Sequence, residues 1–467
     1  MNAFAQSGLS NYEAFKRASK SEYSSFHQQA NQAYADFVRQ SWELFSAKPA
    51  IPRPNEKTPL PPLPYGDADH DSIISIEVSP ILIDAPMPQP LPNEPVKELP
   101  DSYTIHCFTF FGTPMQVRLN EDNKFNLIST KSQDIANAWQ SLSNSHLNNL
   151  IRDCLELRIR HNLNDWAYLK MLDRMSQSFF GQGCNEATLL MAYLFCQTGY
   201  QMRLANDGTN LYMLFGSKHQ IFDLPYFKID GISYYPYNCK AEKLRICNAE
   251  FPYEMPLSLI IDKPLLLTES PSDKREIVSE RFPDLRLTVS SNKNLIDFYN
   301  SYPTSAIGDF MSRWAMYANV PMAEGVKASC YSSLKASLLD SDQLTAVNKL
   351  LNLVQTGFVY EYDDKVWGHD RAFFPEETLY YPYCDCEDRS ILFSRLVRDI
   401  VGLDVALVYY PGHLATAVNF ANDVTGDHIM IEREKYVVCD PTYIGAPVGK
   451  SMPDLDYDNI CVIKLKN

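Results

Sequence analysis

The sequence predicts an α+β fold in which a helix packs on an antiparallel sheet, and three observations predict it. An apolar run with helical spacing follows the motif Asp385-Cys386-Glu387-Asp388. Four strand-like runs come after that helix, at 405–410, 413–420, 428–432 and 435–439. A similar order of helix and strands follows Cys184. We therefore expect a duplicated helix-and-sheet core, preceded by a long N-terminal helix and a proline-rich strap.

Residues 1–47 are predicted to form the long N-terminal helix. Two series of aromatic residues run through it at a spacing of 11: Tyr12, Tyr23, Tyr34 and Phe45, and Phe4, Phe15, Phe26 and Phe37. Because eleven residues make about three helical turns, both series fall on nearly one face. We expect this aromatic face to pack on the body of the same protein or, alternatively, to dock a partner protein or a second copy.

Residues 48–100 are predicted to form the strap. They hold 14 of the 30 prolines, which favours an extended, semi-rigid spacer. The run Pro59-Leu60-Pro61-Pro62-Leu63-Pro64 is the clearest polyproline II candidate, and 72–83 predicts one strand. The segment either crosses the protein's own surface or serves as a ligand for a proline-recognising module.

Residues 101–245 are predicted to be a degenerate copy of the core. A helix begins at Cys184, and steps of 27 residues lead to Leu211 and Asn238 in strand-like runs. Leucine cannot take a proton, so this copy lacks a base unless His219 serves in a shifted register. We expect such a copy to act as scaffold or binding surface.

Residues 246–330 are predicted to be a connecting region, rich in strands at first and largely helical over 292–320. The last segment, 331–467, is predicted to be the catalytic domain. It contains a helix over 334–358 and the helix that begins at Cys386.

Three residues of the last segment have the pattern of a nucleophilic site. Cys386 stands at a helix start, where the partial positive charge and free N–H groups favour the thiolate. His413 follows 27 residues later and Asp440 another 27 residues later. A thiol, an imidazole base and a carboxylate that orients the base can together attack a carbonyl group. The alternatives are a buried structural cysteine and an aspartate that merely begins a turn.

Acyl transfer also needs donors for the oxyanion. The backbone N–H of Cys386 is the first candidate, and the side chain of Gln355 on the preceding helix is the second. Gln355 is alternatively a solvated helix residue. Glu387 and Asp388 lie in the first helical turn, where carboxylates stabilise the helix dipole while opposing thiolate formation.

A zinc site is the competing interpretation of the same segment. Its ligands would be Cys384, Cys386, Cys439 and His413. One C-x-C pair without a matching second pair favours it weakly, so we predict no metal ligands. In an oxidising compartment, Cys384 could be oxidised together with Cys386 and silence the nucleophile.

The three ordered motifs resemble a known family. Asp385-Cys386 before a helix, His413 opening a strand and Asp440-Pro441-Thr442 after the next strand resemble the transglutaminase-like superfamily of papain-type cysteine enzymes, including bacterial transglutaminase-like domain proteins. The resemblance covers roughly residues 350–450. Cys384 replaces the glycine that usually precedes Asp-Cys, and Leu414 follows the histidine. The resemblance implies a papain/transglutaminase-like core with a Cys-His-Asp triad.

The expected function is that of a cysteine hydrolase, a peptidase or amidase that cleaves peptide or carboxamide bonds through a thioester. It needs no cofactor, and its partner is a protein or peptide substrate. One alternative is a protein-crosslinking transglutaminase, in which a lysine amine resolves the thioester. The other is a non-catalytic binding or adhesion protein built on the same scaffold.

Composition excludes several function classes. Acidic residues outnumber basic residues 57 to 42, a net charge of −15, so nucleic acid and anionic membranes are poor partners. No apolar run is long enough to predict a membrane span. The eleven cysteines are odd in number and scattered, unlike a disulfide scaffold.

The residues Ala3-Phe4-Ala5 match the A-x-A pattern of a signal-peptidase site, although no apolar region precedes them. We expect an extracytoplasmic protein, periplasmic or secreted. The alternative is a cytoplasmic protein with a chance match.

Overall fold

The computed structural model describes residues 25–53, 59–66, 72–82, 104–144 and 147–465. The predictions for Phe4, Tyr12, Phe15 and Tyr23 lie outside these residues. Within them the fold is α+β with antiparallel sheets, which confirms the predicted class.

The described helices are, in chain order, α1 (25–40), α2 (Ser132–Asn144), α3 (Asn148–Arg160), α4 (Asp165–Phe180), α5 (Asn185–Gln197), α6 (Lys293–Asn300), α7 (Arg313–Ala318), α8 (Glu324–Leu338), α9 (Gln343–Thr356), α10 (Asp363–Val366), α11 (Pro375–Tyr380) and α12 (Cys386–Leu396). Short 3-10 turns occupy Glu121–Asn123 and Phe310–Ser312, and a π-helical turn over Val397–Val401 extends α12. In the part that the structure describes, no helix combines the length and apolarity needed to cross a bilayer.

The described strands are β1 (Glu43–Ser46), β2 (Leu63–Pro64), β3 (Ser75–Glu77), β4 (Ile105–Phe110), β5 (Thr113–Arg118), β6 (Met202–Asn206), β7 (Leu211–Ser217), β8 (Gln220–Ile221), β9 (Phe227–Ile229), β10 (Ile232–Pro236), β11 (Lys243–Cys247), β12 (Arg275–Val278), β13 (Arg286–Val289), β14 (Ser305–Ala306), β15 (Val359–Tyr360), β16 (Tyr383–Cys384), β17 (Val405–Tyr410), β18 (His413–Asn419), β19 (His428–Ile431), β20 (Glu434–Cys439), β21 (Tyr443–Ile444) and β22 (Cys461–Lys464).

The chain forms two compact units. Of the described residues, 25–51, 104–144, 147–218 and 223–258 make up the first unit. Its main sheet has the strand order β1-β11-β6-β7-β10-β9, and every neighbouring pair is antiparallel. The boundary between the two units lies near residue 258, inside the predicted connecting region 246–330. The residues of that region after 258 belong to the second unit.

Helix α1 packs in the first unit through one face. Tyr34 is 3% exposed, and its ring lies 4.3 Å from that of Trp139 and 6.1 Å from that of Phe251. Phe26 and Phe37, by contrast, are 46% and 43% exposed. Of the described aromatic residues of α1, Tyr34 therefore packs on the body of the protein as predicted, whereas Phe26 and Phe37 are exposed.

The predicted N-terminal helix is also too long at its C-terminal end. It ends at residue 40, because Glu43–Ser46 forms β1 and pairs with β11. The predicted helix over 334–358 is likewise two helices, since Asp342 caps a new one by accepting the N–H of Thr345 at 2.8 Å.

The second unit contains the other described residues: 52–53, 59–66, 72–82, 219–222 and 259–465. Its main sheet has the order β22-β17-β18-β20-β19-β3. All neighbouring pairs are antiparallel except β19 and β3. Strand residues alternate between two apolar layers: Val405, Val418 and Val437 pack with α12, whereas Ala406, Ala417 and Val438 pack in the opposite layer.

The described parts of the strap run along this second sheet. Strand β2 pairs in parallel with β21, and β3 pairs in parallel with β19. Leu60 and Leu63 pack against the second apolar layer. The strap therefore lies on the protein's own surface, although the strand predicted over 72–83 covers only Ser75–Glu77.

Candidate active site

The predicted base is placed by a tight hairpin. Tyr410 ends β17 and pairs with His413, so Pro411 and Gly412 alone form the turn. Gly412 has φ of 88°, which glycine adopts readily, and proline suits the position before it. His413 is 1% exposed at the start of β18.

The predicted carboxylate lies beside this base. Asp440 directly follows β20, the neighbour of β18, and its Oδ2 lies 2.8 Å from Nε2 of His413. Its Oδ1 accepts the backbone N–H groups of Thr442 at 2.8 Å and Tyr443 at 3.2 Å. These contacts hold the carboxylate in one orientation towards the imidazole.

The predicted nucleophile begins α12 but does not hydrogen-bond to the base. Cys386 is 3% exposed, and its Sγ donates to Oε2 of Glu387 at 3.2 Å. No hydrogen bond joins it to His413 among the described residues, and Nδ1 of His413 is buried without a partner there. The structure thus brings His413 and Asp440 together and leaves the thiol turned to Glu387.

Cys386 nevertheless lies close to the strand that carries the base. The backbone of Leu414, the residue after His413, hydrogen-bonds to the sulfur. The hydroxyl of Ser390, one turn further along α12, donates to the carbonyl of Leu414 at 2.7 Å. The start of α12 is therefore fixed against the start of β18.

The thiol is not activated in this arrangement. Burial, and after it the carboxylates of Glu387 and Asp385, raise the pKa of Cys386 well above its usual value. The expected thiolate is therefore wrong for this conformation, because burial and acidic neighbours outweigh the helix dipole. Glu387 is 4% exposed and Asp388 is fully buried, so neither is a solvated dipole partner.

Gln355 has a different role from the predicted one. Its Nε2 donates to the carbonyls of Asp440, Tyr443 and Ala446 at 3.0, 2.7 and 3.1 Å. Its Oε1 accepts the N–H of Gly445 at 3.1 Å. These bonds occupy the whole amide, so Gln355 is a positioning residue for the segment that carries Asp440 and is not an oxyanion donor.

Sequence reasoning missed Arg389, which supports the same segment. It is 1% exposed, and its guanidinium donates to the carbonyls of Phe358 at 2.8 Å, Gln355 at 3.2 Å and Pro441 at 3.5 Å. The available signal was an arginine two residues before the apolar run Ile391-Leu392-Phe393, where burial requires hydrogen-bond partners.

The competing zinc interpretation is wrong. No three of Cys384, Cys386, Cys439 and His413 bring their ligand atoms within 4.8 Å of one another. All eleven cysteines are free, and burial raises the pKa of Cys384 to about 11.

The strap passes beside the candidate site. The N–H of Leu60 donates to the carbonyl of Gly412 at 2.9 Å, and the hydroxyl of Tyr360 donates to the carbonyl of Leu60 at 3.2 Å. Burial, and then the Cys386 sulfur, raise the pKa of Tyr360, which places that ring near the thiol. The strap thus lies against Gly412, the residue before His413, and against Tyr360.

The positions that the sequence predicts to correspond to Cys386, His413 and Asp440 hold no base. Cys184 caps α5, Leu211 begins β7 and Asn238 follows β10 with φ of 54°. The Nε2 of His219 accepts the N–H of Leu259 at 3.2 Å, so its lone pair is already engaged. His219 therefore does not serve as the substitute base.

Comparison with known proteins gives no match, whether with family profiles, curated proteins or solved structures.

Proposed function

We propose that this protein is a cysteine-nucleophile acyl-transfer enzyme, a peptidase or amidase. Cys386 is the nucleophile, His413 the base and Asp440 the carboxylate that orients it. The observation that carries this proposal is the buried 2.8 Å contact between Nε2 of His413 and Oδ2 of Asp440, with the other ring nitrogen unpartnered. A carboxylate on one nitrogen leaves the second nitrogen available to accept a proton.

The reaction begins when the Cys386 thiol turns from Glu387 towards His413. Nδ1 of His413 takes the thiol proton, and the sulfur attacks the carbonyl carbon of a peptide or carboxamide. The C–N bond then breaks, and the imidazolium protonates the departing amine. Water, deprotonated by His413, resolves the thioester to a carboxylic acid and restores the thiol.

Hydrolysis of an extended polypeptide fits the surroundings of the site. Strand β2 pairs with β21 just beyond Asp440, and Leu60 bonds to Gly412 just before His413. Main-chain pairing of this kind is how extended peptides are bound at sheet edges. The strap therefore occupies a place suited to a peptide substrate. A transglutaminase would use the same first step and pass the acyl group to a lysine amine.

The proposal includes a papain/transglutaminase-like core that is duplicated. Both six-stranded sheets contain the same succession: the strand order β11-β6-β7-β10-β9 in the first unit matches β22-β17-β18-β20-β19 in the second. Each succession follows a helix with cysteine at its start, α5 or α12. Leu211 at the position of His413 makes the first unit a non-catalytic copy.

A non-catalytic binding protein is the second candidate function. The observation that favours it is the burial of Cys386 and the raised pKa of its thiol. In that case His413 and Asp440 form a buried structural pair.

Alkylation by iodoacetamide at neutral pH distinguishes the two. We expect His413→Ala to slow labelling of Cys386 by about 100-fold, because general-base assistance contributes roughly 100- to 10,000-fold. Cys184 is the control inside the same molecule, since it also begins a helix but has no base. Equal labelling of Cys386 in the wild type and in His413→Ala would contradict the enzymatic proposal.

A glutamine peptide supplied together with a fluorescent amine separates hydrolysis from cross-linking. Incorporation of the amine into the peptide would indicate cross-linking rather than hydrolysis.

A further inference from the structure

A cavity of about 690 Å³ opens on the main sheet of the first unit. The residues that line it come from β1, β6, β11, the start of α2 and positions next to them, and all belong to that unit. No residue of the candidate active site lines it. Small-molecule sites in proteins typically have about 300–1,000 Å³, so the cavity has the size of a ligand site.

A row of side chains across three strands forms one wall of this cavity. Leu44 of β1 is opposite Arg245 of β11, and Arg245 is opposite Asn206 of β6, so the three share one face of the sheet. Lys243 lies on the same face because it is two residues from Arg245. Leu244, between them, packs in the apolar cluster on the opposite face. The sheet therefore presents two cations and an amide to the cavity.

The cavity is positively charged. Lys131, Lys243 and Arg245 line it, and none of them forms an ion pair with another described residue. Asp207 is the only carboxylate among the lining residues, and its own turn occupies it: it accepts two backbone N–H groups at 2.8 and 2.7 Å and a tyrosine hydroxyl at 2.7 Å. In a chain with a net charge of −15, three unpaired cations around one cavity indicate an anionic ligand.

Two buried side chains in the cavity have polar groups without a partner. Thr130 is 7% exposed, and its hydroxyl makes no hydrogen bond with the described residues. Asn206 is 5% exposed, and its Oδ1 accepts the N–H of Gly208 at 3.2 Å, whereas its Nδ2 donates to no described residue. Because buried polar groups are normally hydrogen-bonded, these two donors point to a polar group of a bound molecule.

The cavity also has an apolar side. Trp42 is half-buried, and its indole N–H donates to the carbonyl of Val38 at 2.6 Å, which holds the ring in place. Leu44, which also lines the cavity, is 68% exposed. A fixed aromatic ring and an exposed leucine favour a ligand that has a flat apolar part besides its charge.

We propose that this cavity binds a small organic phosphate that carries a flat ring, of the chemical class of a nucleoside diphosphate. One phosphate group carries about −1.5 to −2 at pH 7, so a diphosphate matches three cations better than a carboxylate does. The guanidinium of Arg245 can hold two phosphate oxygens at once. Thr130 and Asn206 donate to further oxygens, and Trp42 stacks on the ring. The first unit thereby has a ligand of its own.

Isothermal titration of the full chain with ADP, pyrophosphate and adenosine tests the proposal. At low ionic strength, ADP should bind saturably with one site per chain. Pyrophosphate, which lacks the ring, should bind about tenfold more weakly, because stacking of a base on an aromatic side chain contributes that much or more. Adenosine, which lacks the charge, should bind more weakly still. The affinity for ADP should fall as salt is added.

Three variants assign the binding to this cavity. Arg245→Gln should weaken ADP binding about tenfold or more, because hydrogen bonds to charged groups are the strong ones. Trp42→Leu should weaken ADP binding about tenfold and leave pyrophosphate binding unchanged. Lys228→Gln is the matched control: Lys228 is an exposed cation on β9, at the opposite edge of the same sheet, and its variant should bind ADP as the wild type does. Arg245 is exposed, so its substitution should leave the Tm unchanged.

Several results would overturn the proposal. Absence of saturable ADP binding would do so, and so would equal ADP affinity in the wild type and Arg245→Gln. Equal weakening by Lys228→Gln would assign the binding to overall surface charge. Pyrophosphate that binds as tightly as ADP would remove the ring from the ligand. Tighter binding of a single-stranded oligonucleotide than of ADP would assign the cavity to nucleic acid.

Discussion

At the scale of single residues, buried polar side chains decide how the candidate site is built. His413, Asp440, Gln355 and Arg389 are each at most 2% exposed, and each has a partner that offsets the loss of water. Gln355 and Arg389 act on backbone carbonyls, so they position Asp440 without touching the imidazole. The site therefore depends on residues that no catalytic motif contains.

Gln355→Leu should lower the stability of the protein. The substitution keeps the volume but leaves three buried carbonyls and the N–H of Gly445 without this partner. We expect the free energy of unfolding to fall by about 3 kcal/mol or more, since an unsatisfied buried group costs roughly 1–3 kcal/mol. Urea denaturation measures it. An oxyanion donor would behave differently: its loss lowers kcat and leaves the unfolding midpoint unchanged.

At the scale of elements, the strap and the start of α12 both lie next to the strand that carries His413. The strap contacts Gly412 and Tyr360, while α12 starts with a buried thiol whose pKa is raised by that burial. A site in this state needs a rearrangement before a substrate can reach the sulfur. We expect displacement of residues 59–66 to open the site, with loss of the contacts that Leu60 and Leu63 make with the second apolar layer.

Leu63→Asp should expose Cys386. Leu63 is half-buried against the second apolar layer, and a carboxylate there weakens the strap. Loss of about 1.4 kcal/mol from this contact corresponds to about a tenfold larger open population, and so to about tenfold faster labelling by iodoacetamide. Leu82→Asp is the control, because Leu82 is 64% exposed in the same segment. If both variants label Cys386 at the wild-type rate while remaining folded, the strap does not restrict access.

At the scale of the whole molecule, buried titratable groups make stability depend on pH in opposite directions. Burial lowers the pKa of His219 to about 4 and raises that of Glu376 to about 7. The neutral His219 contributes stability above about pH 6.5, and this contribution is lost as pH falls towards 4. Protonated Glu376 contributes stability below about pH 4.5, and this contribution is lost as pH rises towards 7.

Two variants separate these effects. The difference in Tm between His219→Gln and the wild type should rise as pH falls from 6.5 to 4. The difference in Tm between Glu376→Gln and the wild type should rise as pH rises from 4.5 to 7. In both variants glutamine keeps an oxygen that can accept the existing backbone N–H, from Leu259 and Ala323. Differential scanning calorimetry across pH measures the two curves. Tm differences that stay constant with pH would contradict the assignment of the shifts to these groups.

Local patterns in the chain predicted much of the second unit. The helix from Cys386 to Gly402 and the strands β17 to β20 lie within two residues of their predicted bounds, because apolar periodicity and Pro-Gly turns act over a few residues. The pairing of His413 with Asp440 was also foreseen from their spacing. The predicted helices over 1–47 and 334–358 are too long, because residues 43–46 pair with the distant strand β11 and Asp342 caps a new helix.

What the sequence determined by itself is the order of helices and strands and the identity of the thiol, imidazole and carboxylate. Only the tertiary structure decided their chemical state. Burial raises the pKa of Cys386, and Gln355 is occupied by the carbonyls of residues that are distant in the chain. The physical reason is that hydration and Coulomb interactions depend on which atoms meet in space, and local periodicity does not contain that information.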